Sequence, residues 1–171
     1  GSHDGTADDE KGDLIFRTND GSDGASPTER VRIDSNGSIL TATLGTDNVH
    51  LGEGAGDSIA SGGNYNVTIG KDAGTALTTG DGNVAVGFEA LKTEDADGTT
   101  TAVGYQALKT QNAGASSHNT AVGNVAGTAI TTGIRNTVIG SHTGDALTTG
   151  GENTALGYFA LGADTLGARS T

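Results

Sequence analysis

The hydrophobic and polar positions of this chain repeat with a period of about 17 residues from position 48 onward. Each unit opens with Asn (Thr in one unit), a β-branched residue, a variable residue, an aliphatic residue and Gly, and positions are counted from that first residue. The seven units begin at Asn48, Asn66, Asn83, Thr100, Asn119, Asn136 and Asn153. Their fifth residues are Gly52, Gly70, Gly87, Gly104, Gly123, Gly140 and Gly157, so successive units are 18, 17, 17, 19, 17 and 17 residues apart. A constant period of this length predicts an all-β, parallel β-solenoid of about seven coils.

The first five positions of each unit predict a short strand that ends at a corner. Positions two and four, such as Val67 and Ile69, alternate with smaller or polar residues, so we expect their side chains to face the interior. Gly at position five permits a positive φ and a close backbone approach, which would turn the chain out of the strand. Asn at position one fits two roles, a ladder of side-chain amides or a residue that suits turns.

The second half of the unit occurs in two forms. In four units position nine is Gly and position twelve is aliphatic: Ile59, Leu77, Ile130 and Leu147. In the other three units, position nine is Leu and position twelve is polar: Leu91 with Glu94, Leu108 with Gln111, and Leu161 with Asp164. Positions nine and twelve are thus never both aliphatic in one unit. This predicts one interior slot per coil that an aliphatic side chain fills from one position or the other. The Leu form also has an aromatic residue at position six (Phe88, Tyr105, Tyr158), and its spacing to the Leu predicts a short helical turn.

The sequence before the array divides into two parts. Residues 1–12 begin Gly1-Ser2-His3 and lack periodicity, so we interpret them as a tag remnant and a disordered lead. Residues 13–47 contain strand-like segments around Ile15, Val31 and Ile39 with an Asn36-Gly37 turn, which predicts a small β-hairpin cap. The predicted organisation is therefore a lead, a cap, and a repeat array over residues 48–171.

Composition and charge restrict the classes of function. The 171 residues include 30 Gly, no Cys, Met or Trp, and a net charge of −12. Disulfides and thiolate sites are thereby excluded, and an acidic chain is expected to repel nucleic acid and anionic lipid. No apolar run is long enough for membrane insertion. Because a coil with so few large side chains buries little apolar surface, we expect neighbouring chains to cover it.

Residue patterns that carry chemistry are weak. The Gly spacing follows the repeat and not a phosphate loop, and Gly80-Asp81-Gly82 is an isolated piece of a calcium repeat. His50, His118 and His142 stand alone in the sequence and are expected at exposed polar positions. The acidic group Glu89, Glu94, Asp95 and Asp97 predicts a solvated edge, with a catalytic carboxylate pair as the alternative. We therefore predict no enzyme, and no catalytic, cofactor-binding or metal-binding residues.

Two segments resemble a known family. Gly12-Asp13-Leu14-Ile15-Phe16, followed by Glu29-Arg30-Val31-Arg32-Ile33-Asp34-Ser35-Asn36-Gly37, is similar to a stretch of bacteriophage tail-fibre proteins. The array, with Asn119-Thr120-Ala121-Val122-Gly123, resembles the repeats beside that stretch and, more distantly, the left-handed β-roll heads of trimeric autotransporter adhesins. Those heads have a shorter repeat, so the handedness of this solenoid stays open.

The resemblance implies a homotrimeric, extracellular virion appendage that binds a host cell-surface glycan or protein receptor, or presents a site that does so. The alternatives are the passenger head of a bacterial trimeric adhesin and a polysaccharide-degrading tailspike. The sequence identifies no receptor-binding residue.

Overall fold

A computed structural model describes residues 13–18, 28–33, 39–41, 47–96, 98–114 and 116–170. These residues contain strands and turns and no helix. The chain forms two compact units, residues 1–43 and 44–171. The predictions for the lead at residues 1–12 and for the Asn36-Gly37 turn lie outside the described residues.

The first unit is a three-stranded antiparallel sheet. Its strands are β1 (Leu14–Thr18), β2 (Thr28–Ile33) and β3 (Ile39–Thr41), in the order β1-β2-β3. The register of β1 shifts between Phe16 and Arg17. Leu14 and Phe16 point to the side of the sheet that stays exposed, whereas Ile15 is half-buried. The function of this sheet as a cap stays a prediction.

The second unit is a parallel β-solenoid with a spacing of about 17 residues between coils. Its strands are β4 (Val49–Leu51), β5 (Val67–Ile69), β6 (Val84–Val86), β7 (Thr101–Val103), β8 (Thr120–Val122), β9 (Thr137–Ile139) and β10 (Thr154–Leu156). They form one seven-stranded sheet in sequence order. Equivalent positions pair directly, as Val103 does with Val122, so the repeat alignment is also the register of the sheet.

The turn region of each coil has the same backbone in both forms. Six turn residues follow each corner Gly. Hydrogen bonds such as Gly104 N to Val86 O at 2.7 Å and Leu108 N to Ala126 O at 3.0 Å join the coils. Leu91 has φ +51° at position nine, close to the +57° of Gly74 at the equivalent position. The helical turn predicted for the Leu form is therefore wrong, because both forms alternate between right- and left-handed residues.

Position three, and not positions two and four, faces the interior. The buried residues at this position are Thr68, Ala85, Ala102, Ala121, Val138 and Ala155. The expectation that Val67 and Ile69 point inward was wrong, since both are only half-buried. The reason is the narrow cross-section: a Cβ built on Gly144 would lie 2.9 Å from Val138 Cγ1 across the coil. In these six coils the space between the two walls admits only a short side chain, so the larger side chains of positions two and four point outward.

The structure supports the predicted aliphatic slot in the coils where position nine is Gly. A Cβ on Gly74 would lie 2.8 Å from Cδ1 of Leu77, and one on Gly127 would lie 2.9 Å from Cδ1 of Ile130. Position nine therefore points into the space that the position-twelve side chain occupies. In the other form Leu91 fills this space and is fully buried. In that coil the polar residue at position twelve is fully buried as well, so the coil holds Glu94 together with Leu91 and has one large aliphatic side chain in its interior.

Candidate functional site

The outer face of the parallel sheet is an apolar strip. Its first row holds the side chains of position four: Leu51, Ile69, Val86, Val103, Val122, Ile139 and Leu156. Its second row holds those of position two: Val49, Val67, Val84, Thr101, Thr120, Thr137 and Thr154. At a strand spacing of about 4.8 Å, the six steps give a strip about 30 Å long. We call this surface the strand strip.

The strand strip carries no charged residue, although the chain has a net charge of −12. Leu51 and Leu156 at its two ends are 67% and 76% exposed. A contiguous apolar surface of this kind marks a site of contact with another molecule. Its rows are regular because the strands pair in register, so a partner with the same repeat could contact every coil.

A corner of ion pairs lies beyond the glycines. The Glu89 carboxylate accepts hydrogen bonds from Lys92 and Lys109 at 2.6 Å each and from Gln106 Nε2 at 2.8 Å. The two lysines, Lys109 first, lower the pKa of Glu89 to about 2. These contacts join neighbouring coils, but exposed ion pairs of this kind contribute less than about 1 kcal/mol each. Lys92 Nζ also lies 3.7 Å from Asp72 Oδ2, so two lysines face two carboxylates and the corner is charge-balanced.

The acidic group predicted near this corner is split by the structure. Glu94 is fully buried inside the coil, Asp95 is exposed, and Asp97 lies outside the described residues. Glu89 is held at the surface by its lysines, as described above. The structure thus does not bring Glu89 and Glu94 together as a carboxylate pair on one accessible surface.

The interior contains a closed polar cluster that sequence reasoning missed. Gln111 Nε2 donates to Glu94 Oε2 at 2.9 Å, Ser117 Oγ at 2.7 Å and Thr100 Oγ1 at 3.2 Å. Asn119 Nδ2 in turn donates to Gln111 Oε1 at 2.8 Å. Two features of the sequence could have indicated this cluster. Position twelve is polar in two successive units (Glu94 and Gln111), and Thr100 stands where the other units have Asn. Full burial of these side chains gives the cluster a structural role.

The asparagines of position one form a ladder between side chain and backbone. Asn48 Oδ1 accepts the backbone N–H of Asn66 at 2.8 Å, and Asn66 Oδ1 accepts that of Asn83 at 2.8 Å. The side-chain nitrogen of Asn66 also donates to Gly80 O within the same coil at 2.8 Å. Each buried amide therefore ties its own coil closed and binds the next coil. The ladder is therefore present with backbone groups as partners, and none of these asparagines has the positive φ on which the turn role was based.

The three histidines lie in separate environments. His118 Nδ1 is 2.9 Å from Thr99 Oγ1 at the surface, and His142 Nδ1 is 3.1 Å from Asp145 Oδ2. The His142 ring stacks on Phe159 with centroids 5.0 Å apart. His50 instead lies in the interior of the first coil, so its predicted exposed position was wrong. Within the described part of the chain, no three potential metal ligands come together.

Comparison with known proteins gives no match: no protein-family model, curated protein or solved structure is similar to the chain. Among the described residues no helix has the length and apolar character needed to cross a membrane. The strand strip is thus the candidate functional surface, identified from its own chemistry.

Proposed function

We propose that this chain is a structural and adhesive segment of a bacteriophage tail fibre. It assembles as a homotrimer and contributes to the shaft or head that binds, or presents, a receptor-binding site for the host cell surface. The family resemblance of the sequence supports the viral assignment, and the β-solenoid fold is compatible with a shaft. The homotrimer is inferred from the uncharged strand strip.

The chemistry of the strand strip favours further copies of the same chain as the partner. Its position-four row is aliphatic in every coil, and its charge is zero along the whole length. Rows with the same repeat can contact each other coil by coil, which a globular partner of unrelated shape could not do. Burial of each aliphatic side chain at such a contact would contribute up to about 1.5–3 kcal/mol.

The three-stranded sheet gives an independent reason for assembly. Leu14 and Phe16 on β1 are 45% and 53% exposed, so this small sheet also leaves large apolar side chains uncovered. A sheet of three short strands needs a packed apolar face to be stable. Both units of the chain therefore have an apolar sheet surface for which a second and third copy would provide cover.

The trimer is tested by the solution mass from light scattering. We expect a value near three times 16.8 kDa at micromolar protomer concentration. The variant Val103→Lys/Val122→Lys, which places two charges in the strip of each copy, should shift the mass toward one protomer. The matched variant Asn112→Lys/Asn124→Lys adds the same charge at exposed positions off the strip and should remain trimeric. A monomeric or dimeric wild type would refute the homotrimer.

The viral assignment is tested by immunogold labelling. Antibodies raised against the chain should label the tail appendages of phage particles. Label on the surface of bacterial cells, in the absence of phage, would support the adhesin head instead. Release of oligosaccharides after incubation with host capsule or lipopolysaccharide would overturn the non-enzymatic function and favour a tailspike.

A further inference from the structure

His50 occupies an unusual place in the repeat. It is the position-three residue of β4, where the next three strands have Thr68, Ala85 and Ala102. Its ring lies inside the first coil, next to Gly56 at position nine. A Cβ built on Gly56 would lie 2.2 Å from His50 Nδ1, so the ring requires a glycine there.

The hydrogen bonds of His50 suit a neutral ring. Nδ1 is 2.6 Å from Thr68 Oγ1, a hydroxyl that can donate or accept. Nε2 is buried and has no hydrogen-bond partner among the described residues. A neutral imidazole needs only one of its nitrogens to donate, whereas an imidazolium has two N–H donors and a charge. Protonation would therefore bury an unsatisfied donor together with a charge.

The charges around the ring agree with this geometry. Burial lowers the pKa of His50 below its ordinary value of 6.5, and the carboxylate of Asp57 acts in the opposite direction. Asp57 is an exposed residue of the same coil. The second coil contributes the hydroxyl of Thr68, which is neutral. Within the described residues, no acidic side chain hydrogen-bonds to the ring to stabilise the imidazolium.

We propose that the first coil, residues 48–65, is an acid-labile end of the array that opens when His50 is protonated. The coils from Asn66 onward stay closed, because each coil of a solenoid contacts only its neighbours and opening can remain local. The unfolded coil binds the proton more tightly than the folded coil. Stability of the first coil is therefore complete above pH 6.5 and falls as the pH decreases through the folded-state pKa. This inference concerns one end of the array and does not depend on the proposed function.

Hydrogen exchange across pH 7.5 to 5 tests the proposal in the full chain. The reporters are the backbone amides of Val49 and Gly56, which bond to Asn66 O at 2.8 Å and Ala73 O at 3.0 Å. The reference is the amide of Thr101, which bonds to Asn119 O at 2.9 Å in the middle of the array. After correction for intrinsic exchange rates, protection of the two reporters should fall by up to about tenfold per pH unit below 6.5, whereas that of Thr101 stays constant.

The matched variant is His50→Ala, which introduces the residue that Ala85 and Ala102 supply at this position. Its first coil should keep the same protection at pH 5 as at pH 7.5. The titration of the His50 ring by NMR in the wild type gives a second test that needs no variant, with exposed His118 as its reference. A His50 pKa at or above 6.5 would overturn the proposal. Equal loss of protection in the variant, or in all coils together, would do the same.

Discussion

Replacement of Gly104 by Ala should be among the most damaging single changes in the array. Gly104 forms the corner after β7 with φ +136°, a backbone conformation that costs a residue with a side chain about 1–3 kcal/mol. An added methyl group would also lie 2.2 Å from the carbonyl oxygen of Gly123 in the next coil. Because the obstacle is backbone, the two coils must separate at the corner, at a further cost of about 1–3 kcal/mol. The expected loss in the free energy of unfolding is therefore about 2–6 kcal/mol.

Gly157→Ala is the matched control for this prediction. Gly157 has φ +115°, so it shares the backbone cost, but a Cβ there would have no atom within 4 Å. The difference between the two variants isolates the contact between coils and should be about 1–3 kcal/mol. Chemical denaturation followed by circular dichroism measures it, at a fixed protomer concentration because assembly contributes to stability. If both variants lose the same free energy, the close stacking of the corners does not restrict this position to Gly.

Two further predictions concern the interior. Leu91→Gly should lose about 2–5 kcal/mol of unfolding free energy because it empties the space that the fully buried Leu91 fills; a loss of less than about 1 kcal/mol would contradict this role. Asn66→Ala should lose about 2–4 kcal/mol, since it leaves a buried N–H and a buried carbonyl without their partner. The exposed Asn124→Ala should stay within about 0.5 kcal/mol of the wild type in the same denaturation experiment.

The repeat itself could be predicted from the sequence because register and period are the same property in a solenoid. Alignment of the seven units already pairs Val103 with Val122, and the structure pairs the same two residues. The shared slot was also predictable, because it depends on which residues exclude each other. Both results need only comparison between units and no knowledge of the cross-section of a coil.

The direction of the side chains could not be predicted in the same way. In a strand of three residues, such as β7, alternation allows either the middle side chain or the two outer side chains to face the interior. The choice depends on the distance across the coil, which follows from the left-handed residues at positions seven and nine. Gln106 and Leu108 adopt φ of +53° and +49° there, which side-chain preferences do not predict. Ala at position three was the available signal, since a narrow interior selects a small residue.

This inversion decides how the chain distributes its apolar side chains. Inside each coil lie the residue of position three, which is small in most coils, and one aliphatic side chain from position nine or twelve. The aliphatic residue of position four lies outside. An added coil therefore contributes little interior but always extends the strand strip by one step of about 4.8 Å. If the strip is the contact between copies of the chain, the apolar surface that they share grows in proportion to the number of coils. Length and strength of association are then coupled.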